Sequence, residues 1–198
     1  LEWGSRPVAV DLTQLDLQDL AVAPDGTLFV ANGAAGVFKS ADGGRTWRET
    51  NYPARAAILF DARLAMGDDG TLFAAIGTVV ERSDDGGQTW THLPGLPLAF
   101  QIASLAVSPN FAEDGVVVVG GDYTNNQIIR SADGGQTWQV VFDGASLEGT
   151  SDVVALAFSP GFARDGTLYA WLQYGGLLRS TDGGLSWSLA YNDQERRY

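Results

Sequence analysis

The chain has 198 residues, 45% of them hydrophobic, with 25 glycines, no cysteine and a formal net charge of −12. That length suits one large all-β domain or two small ones, and so many glycines favour turns over long helices. The charge argues against a nucleic-acid partner, which needs clustered Lys and Arg. The missing cysteines exclude disulfides, thiolate nucleophiles and Cys-based metal sites. No apolar run reaches the ~18 residues of a membrane span, so no membrane insertion is expected.

The chain opens on Leu1-Glu2-Trp3-Gly4, without Met, a basic n-region or an apolar h-region. This predicts either a removed leader or a start inside a longer protein. From residue 17 a pattern repeats: an apolar run, an Asp-Gly pair, a second apolar run, then a Ser-x-Asp-Gly-Gly stretch closed by Trp. The first unit reads DLAVAP (19–24), Asp25-Gly26, TLFVA (27–31) and KSADGGRTW (39–47). The second reads RLAMGD (63–68), Asp69-Gly70, TLFAA (71–75) and RSDDGGQTW (82–90). The third reads SLAVSP (104–109), Asp114-Gly115, VVVVG (116–120) and RSADGGQTW (130–138). The fourth reads ALAFSP (155–160), Asp165-Gly166, TLYAW (167–171) and RSTDGGLSW (179–187). Units three and four carry four extra residues before their Asp-Gly pair, a length change expected in a loop.

Short runs rich in Val, Leu, Phe and Thr, punctuated by Asp-Gly and Gly-Gly, are hairpin signals, and no segment keeps a helical period. Each unit therefore reads as four antiparallel strands, the blade of a β-propeller. The expected blades cover approximately 17–51, 58–93, 102–142 and 153–191, followed by a polar tail at 192–198. Trp3, Trp47, Trp90, Trp138 and Trp187 share one register, so residues 1–10 are expected to supply the outer strand of a preceding blade. The chain then forms an incomplete ring of four blades plus one strand. Its exposed edges predict a homo-oligomer or the remainder of a longer propeller as partner.

The repeated stretch is read as structural. Asp42, Asp85, Asp133 and Asp182 can accept backbone N–H groups across the turn. Gly44, Gly87, Gly135 and Gly184 allow positive φ. Ser40, Ser83, Ser131 and Ser180 add a local hydroxyl, as do Thr46, Thr89, Thr137 and Ser186. The tryptophans pack a ring against the hairpin.

This Ser-x-Asp-x-Gly-x-Thr-Trp pattern resembles the Asp-box, or bacterial neuraminidase repeat. The first three copies match every fixed position, and in the fourth Ser186 stands for Thr. Similar boxes occur in sialidases, xyloglucanases, sortilin-type receptors and photosystem II assembly factors, so the resemblance implies a propeller without naming a function. A sialidase implies three arginines on a carboxylate, a Tyr–Glu pair and an Arg-Ile-Pro mark. Here Arg6-Pro7 lacks the Ile, while Arg82, Arg130 and Arg179 each precede a box Ser and read as solvated blade surface. Arg55 and Arg63 remain as candidates, too few for a triad. A xyloglucanase-like hydrolase needs two carboxylates in one cleft, roughly 5–5.5 Å or 6.5–9.5 Å apart. Asp61, Asp122, Asp143, Glu148 and Asp152 lie in suitable loops, but nothing in their spacing singles out a pair.

By fold-level analogy, binding chemistry belongs on the face opposite the boxes. There Tyr123, Asn125, Asn126, Gln127 and Tyr174 are candidate ligand contacts, able to stack on and hydrogen-bond a sugar or peptide. Trp171 reads as packing between blades. His92 is the lone histidine, so neither a histidine metal cluster nor a Ser-His-Asp triad is supported. No phosphate loop is present. Acidic turns such as Asp68-Asp69 and Asp84-Asp85 lack EF-hand spacing, and no catalytic residue, metal site or cofactor is expected. The expectation is a non-catalytic exported or cell-surface module, extracellular or periplasmic, that binds a protein or glycan. A glycoside hydrolase fragment and a structural or assembly subunit are the alternatives.

Overall fold

The computed structural model describes residues 10–53, 61–97, 101–122, 126–144 and 152–191. It contains four antiparallel sheets of four strands, each built from consecutive strands in order. Blade 1 holds β1 (Asp19–Val22), β2 (Leu28–Asn32), β3 (Gly36–Ser40) and β4 (Arg48–Glu49). Blade 2 holds β5 (Ala62–Met66), β6 (Leu72–Ile76), β7 (Val79–Ser83) and β8 (Thr91–Leu93). Blade 3 holds β9 (Ile102–Val107), β10 (Val117–Gly121), β11 (Gln127–Ser131) and β12 (Gln139–Asp143). Blade 4 holds β13 (Val153–Phe158), β14 (Leu168–Leu172), β15 (Gly176–Ser180) and β16 (Ser188–Tyr191). These are β-propeller blades, and the ring they describe is incomplete. The inner strands touch in succession, β1 to β5, β5 to β9 and β9 to β13, with no comparable contact from β13 back to β1.

The core lies between blades, which explains why the second strands are apolar on both faces. Every residue of β10 is buried, as are the first four of β6. Phe29, Ala31 and Val37 of blade 1 pack on Ala62, Leu64 and Leu72 of blade 2. Phe73 and Val80 of blade 2 meet Ile102, Val117 and Ile129 of blade 3. Val118 and Ile128 of blade 3 meet Val153, Leu168 and Leu178 of blade 4. Close approach fixes Gly120: a Cβ there would lie 2.6 Å from Val153 Cβ, where the next inner strand crosses. No further blade packs on β14 among the described residues, and its residues alternate between buried and partly or fully exposed.

The four-residue insertions are not plain loops. Each forms one helical turn, α1 (Phe111–Asp114) and α2 (Phe162–Asp165), ended by a left-handed glycine at Gly115 and Gly166. Periodicity could not announce elements of a single turn. Their phenylalanines are buried: Phe111 stands edge-on to Phe73 at 5.3 Å, and Phe162 edge-on to Phe158 at 4.7 Å. The proposed preceding strand at 1–10 falls outside the described residues except at Val10, whose N–H donates to Trp47 O at 3.0 Å. The tail at 192–198 also lies outside them.

Candidate functional site

The box turns have one geometry in all four blades. In blade 2, Ser83 Oγ donates to Asp85 Oδ1 at 2.9 Å and accepts the Gly87 N–H at 2.8 Å. Asp85 Oδ1 accepts the N–H groups of Gln88 and Thr89, while Thr89 Oγ1 donates to Asp85 Oδ2 at 2.6 Å. The same exchange holds Asp42, Asp133 and Asp182, with Ser186 Oγ replacing the threonine hydroxyl at 2.5 Å. Donors converging on a carboxylate favour its charged form. The hydroxyl of Thr89, Thr137 or Ser186, followed by that residue's own amide, holds Asp85, Asp133 and Asp182 down at about 2. Asp42 is pushed lower still by Thr46. These acids are therefore charged, fully engaged and unsuited to proton transfer near neutral pH.

The residue before the box serine in blades 1, 2 and 3 does something the sequence did not reveal. Lys39 Nζ donates to Gly86 O at 2.9 Å, Arg82 NH1 to Gly134 O at 3.2 Å and Arg130 Nε to Gly183 O at 2.7 Å. Each cation crosses from the third strand of one blade to the first box glycine of the next. Lys39, Arg82 and Arg130 are half-buried staples, not solvated surface charges. The reading as surface holds only for Arg179, which is exposed.

On the box side, a cleft of about 520 Å³ lies between blades 1 and 2, lined by Asp25, Lys39, Asp68, Asp69, Asp84 and Asp85. Blade 2 lacks the helical turn that blade 3 uses to seat Phe111 at the corresponding place over Phe73. The carboxylates around the cleft are engaged, in their own turns, with a neighbouring cation or with the next blade. Asp25 accepts from Thr27 N, Asp69 from Thr71 N, Asp68 from Ala112 N and Asp84 from Arg82. Among the described residues no group of three or more His, Cys, Asp or Glu could hold a metal ion.

On the opposite face, the turns joining second and third strands differ between blades. Blade 2 uses two residues, blades 1 and 4 use three, and blade 3 uses five. Blade 3 thus carries the longest of these turns. Of the candidate ligand contacts, Tyr123 and Asn125 lie outside the described residues. Asn126 closes this turn at φ 45°, with its N–H on Asp122 O at 2.9 Å and its carbonyl accepting from Gly144 N. Gln127 begins β11 and donates Nε2 to Asp143 Oδ2 at 3.5 Å. Tyr174 sits in the matching turn of the neighbouring blade 4, at φ 63° and half exposed. Asn126 and Tyr174 are the two described non-glycine residues at positive φ. Asn tolerates that region, whereas for Tyr it costs energy and needs support from its surroundings.

Of the candidate acids, Asp61 pairs with Arg63 at 3.1 Å, and Asp122 and Asp152 are partly or fully buried at strand ends. Glu148 lies outside the described residues. His92 Nδ1 stands 3.5 Å from Glu81 Oε1, whose carboxylate is buried within blade 2. Trp171 stacks on Tyr191 with ring centroids 6.3 Å apart, on the face of blade 4 where the other blades carry a neighbour.

Four-stranded blades with box turns and cations crossing between them define a β-propeller, whose repeated turn resembles the Asp-box. The BNR/Asp-box repeat family model matches residues 81–92, the box of blade 2. No curated protein sequence matches the chain. Among solved structures, an ancestral GH74 enzyme aligns at 22% identity and a TM-score of 0.69, over 95% of this chain and 25% of that one. The GH74 enzyme of Niastella koreensis aligns at 18% identity and a TM-score of 0.65, over 87% of this chain and 24% of that one. YCF48 bound to D1 peptide aligns at 16% identity and a TM-score of 0.61, over 95% of this chain and 56% of that one. At these identities the likeness is one of fold. The chain spans about a quarter of the GH74 enzymes and about half of YCF48.

Proposed function

We propose that this propeller is a non-catalytic binding module, which takes a protein or glycan partner on the loop face of blades 3 and 4. The observation that carries the reading is the pair Asn126 and Tyr174. Both are held at positive φ, in matching turns of adjacent blades, and the tyrosine is presented half exposed. Backbone strain of this kind gathers where a side chain must be aimed. A tyrosine ring offers stacking area and a polar tip, and the Gln127 amide beside Asn126 carries both donor and acceptor groups. The D1 peptide seen on YCF48 supports peptide recognition by a propeller of this architecture. An exported or cell-surface location, extracellular or periplasmic, suits the acidic, cysteine-free composition. Among the described residues no helix is long and apolar enough to cross a membrane.

The test is binding of the chain to peptide and glycan arrays, repeated with Tyr174→Gly. Glycine relieves the strained φ while removing the ring, so the variant should fold at least as stably and bind at least tenfold more weakly. Unchanged binding by a well-folded Tyr174→Gly chain would overturn the assignment of this face. The likeness to GH74 enzymes supports a second reading, a piece of a glycoside hydrolase. It requires turnover of a chromogenic glycoside that is lost when a loop carboxylate such as Asp122 or Asp152 becomes its amide.

A further inference from the structure

The helical turns α1 and α2 each place a phenylalanine in a seat between two blades on the box side. The seat of Phe111 is closely defined. Its ring stands edge-on to Phe73, and the Arg82 guanidinium lies 5.7 Å from its centre. A Cβ on Gly67 would lie 2.7 Å from the ring's Cδ1, and a Cβ on Gly134 would lie 3.6 Å from its Cζ. Gly67, Phe73, Arg82 and Gly134 therefore wall the seat between blades 2 and 3. Phe162 fills the corresponding seat between blades 3 and 4, buried with Val116 and Val118.

Between blades 1 and 2 the same seat receives no phenylalanine from blade 2. In the repeat register Ala23, Phe29, Lys39 and Gly86 are the counterparts of Gly67, Phe73, Arg82 and Gly134, and all four line the cleft of about 520 Å³. Blade 2 runs from Met66 to Asp69-Gly70 without the four inserted residues, so it has no counterpart of Phe111. Exposure follows the difference. Gly67 and Gly134 are buried, whereas Ala23 and Gly86 are partly exposed. Phe29, itself buried, forms the floor. The rim adds charge: Asp25, Asp68, Asp69 and Asp84 line the cleft against one cation, Lys39, whose ammonium already donates to Gly86 O. The backbone N–H groups that Asp25, Asp68 and Asp69 accept favour their charged form.

We infer that this cleft binds a peptide segment of a partner protein, in which an aromatic side chain takes the seat that Phe111 fills between blades 2 and 3 and an adjoining Lys or Arg meets the acidic rim. The ring stands over Phe29 as Phe111 stands over Phe73, against Ala23 and Gly86. The basic residue pairs at the mouth with Asp25, Asp69 or Asp84. One desolvated aromatic anchor supplies most of the affinity of such a contact, and the surrounding charge selects the partner and rejects acidic segments. The cleft lies on the face opposite Asn126 and Tyr174, so this site is separate from the loop face and does not rest on it.

The test titrates the blocked peptide Ac-Gly-Lys-Phe-Arg-Gly-NH2 into the isotope-labelled chain and follows amide chemical shifts. Saturable shifts are expected at Ala23, Thr27, Gly70 and Gly86, with none at Asn126 or Tyr174. Replacing the peptide's Phe by Ala, or its Lys and Arg by Glu, should weaken binding at least tenfold. Ala23→Leu grows a side chain into the seat from the position of Gly67 and should abolish the shifts without lowering the unfolding temperature. Ala23→Ser leaves the seat open and should bind as the parent chain does, so a fold defect in the leucine variant cannot imitate the result. Absence of saturable shifts at millimolar peptide would overturn the inference. So would shifts confined to the loop face, equal binding of the alanine peptide, or undiminished binding by a folded Ala23→Leu chain.

Discussion

Arg130 Nε donates to Gly183 O at 2.7 Å, reaching from the third strand of blade 3 into the box turn of blade 4. Lys39 and Arg82 make the same crossing, so the box turn serves two blades at once. It caps its own hairpin through the aspartate and offers a carbonyl to the blade before it. A charge-assisted bond to a half-buried carbonyl contributes more than an ordinary hydrogen bond.

Arg130→Met keeps the apolar stem and removes this donor. It should lower the unfolding free energy by about 1.5–3 kcal/mol, the range for hydrogen bonds to charged groups. Arg179→Met, changing an exposed cation with no described acceptor, should stay within about 0.5 kcal/mol when measured in dilute solution. Urea titrations of both variants check the pair.

Much of this architecture was legible in the sequence. Asp-Gly pairs and Ser-x-Asp-Gly-Gly stretches state turn chemistry within a few residues, and apolar runs between them state strands, so four blades could be counted directly. The staples were hidden because Lys39 and Gly86, or Arg130 and Gly183, meet across blades and no local pattern marks the acceptor. Phe111 and Phe162 were hidden for a related reason: a single helical turn has no period to detect, and its target lies on another element. The loop face was expected by analogy with the fold, but the positive φ of Asn126 and Tyr174 is a backbone property that composition does not carry.

The box aspartates make stability depend on pH. An unperturbed Asp titrates near ~3.9, and Asp85, Asp133 and Asp182 are held at about 2 in the folded chain. Folding therefore favours their charged form. The stabilisation is fully present above the unfolded value and disappears as pH falls from about 4 through about 2. Urea midpoints measured down this range should fall steeply. Thr137→Val removes the largest donor on Asp133 and should make the fall shallower.

Box glycines should differ in what they tolerate. Gly87 has φ +83°, and an added Cβ would lie 2.7 Å from Thr50 Cγ2 of blade 1. Gly43 has φ +72° with open space around its Cβ direction. Gly43→Ala should cost about 1–2 kcal/mol from backbone conformation alone. Gly87→Ala should cost clearly more, because a neighbouring blade must also shift. Thermal unfolding of the two variants side by side separates conformation from crowding.

Phe111 joins blade 3 to blade 2, edge-on to Phe73 and with the Arg82 guanidinium 5.7 Å from its ring centre. Phe111→Ala should destabilise by about 3–5 kcal/mol, as expected for emptying a buried phenylalanine site. Loss of cooperativity in the same denaturation curve would show blades 1–2 parting from blades 3–4.

Amide hydrogen exchange of the box glycines, at a concentration where the chain is monomeric, tests the open arc of blades most directly. All four donate to a box serine, Gly44 to Ser40 at 2.9 Å and Gly87 to Ser83 at 2.8 Å among them. Only Gly87, Gly135 and Gly184 are buried, each beneath a preceding blade. The arc predicts slow exchange at these three and fast exchange at Gly44. Equal, strong protection at all four in the monomer would contradict it and mean that blade 1 is covered as the others are.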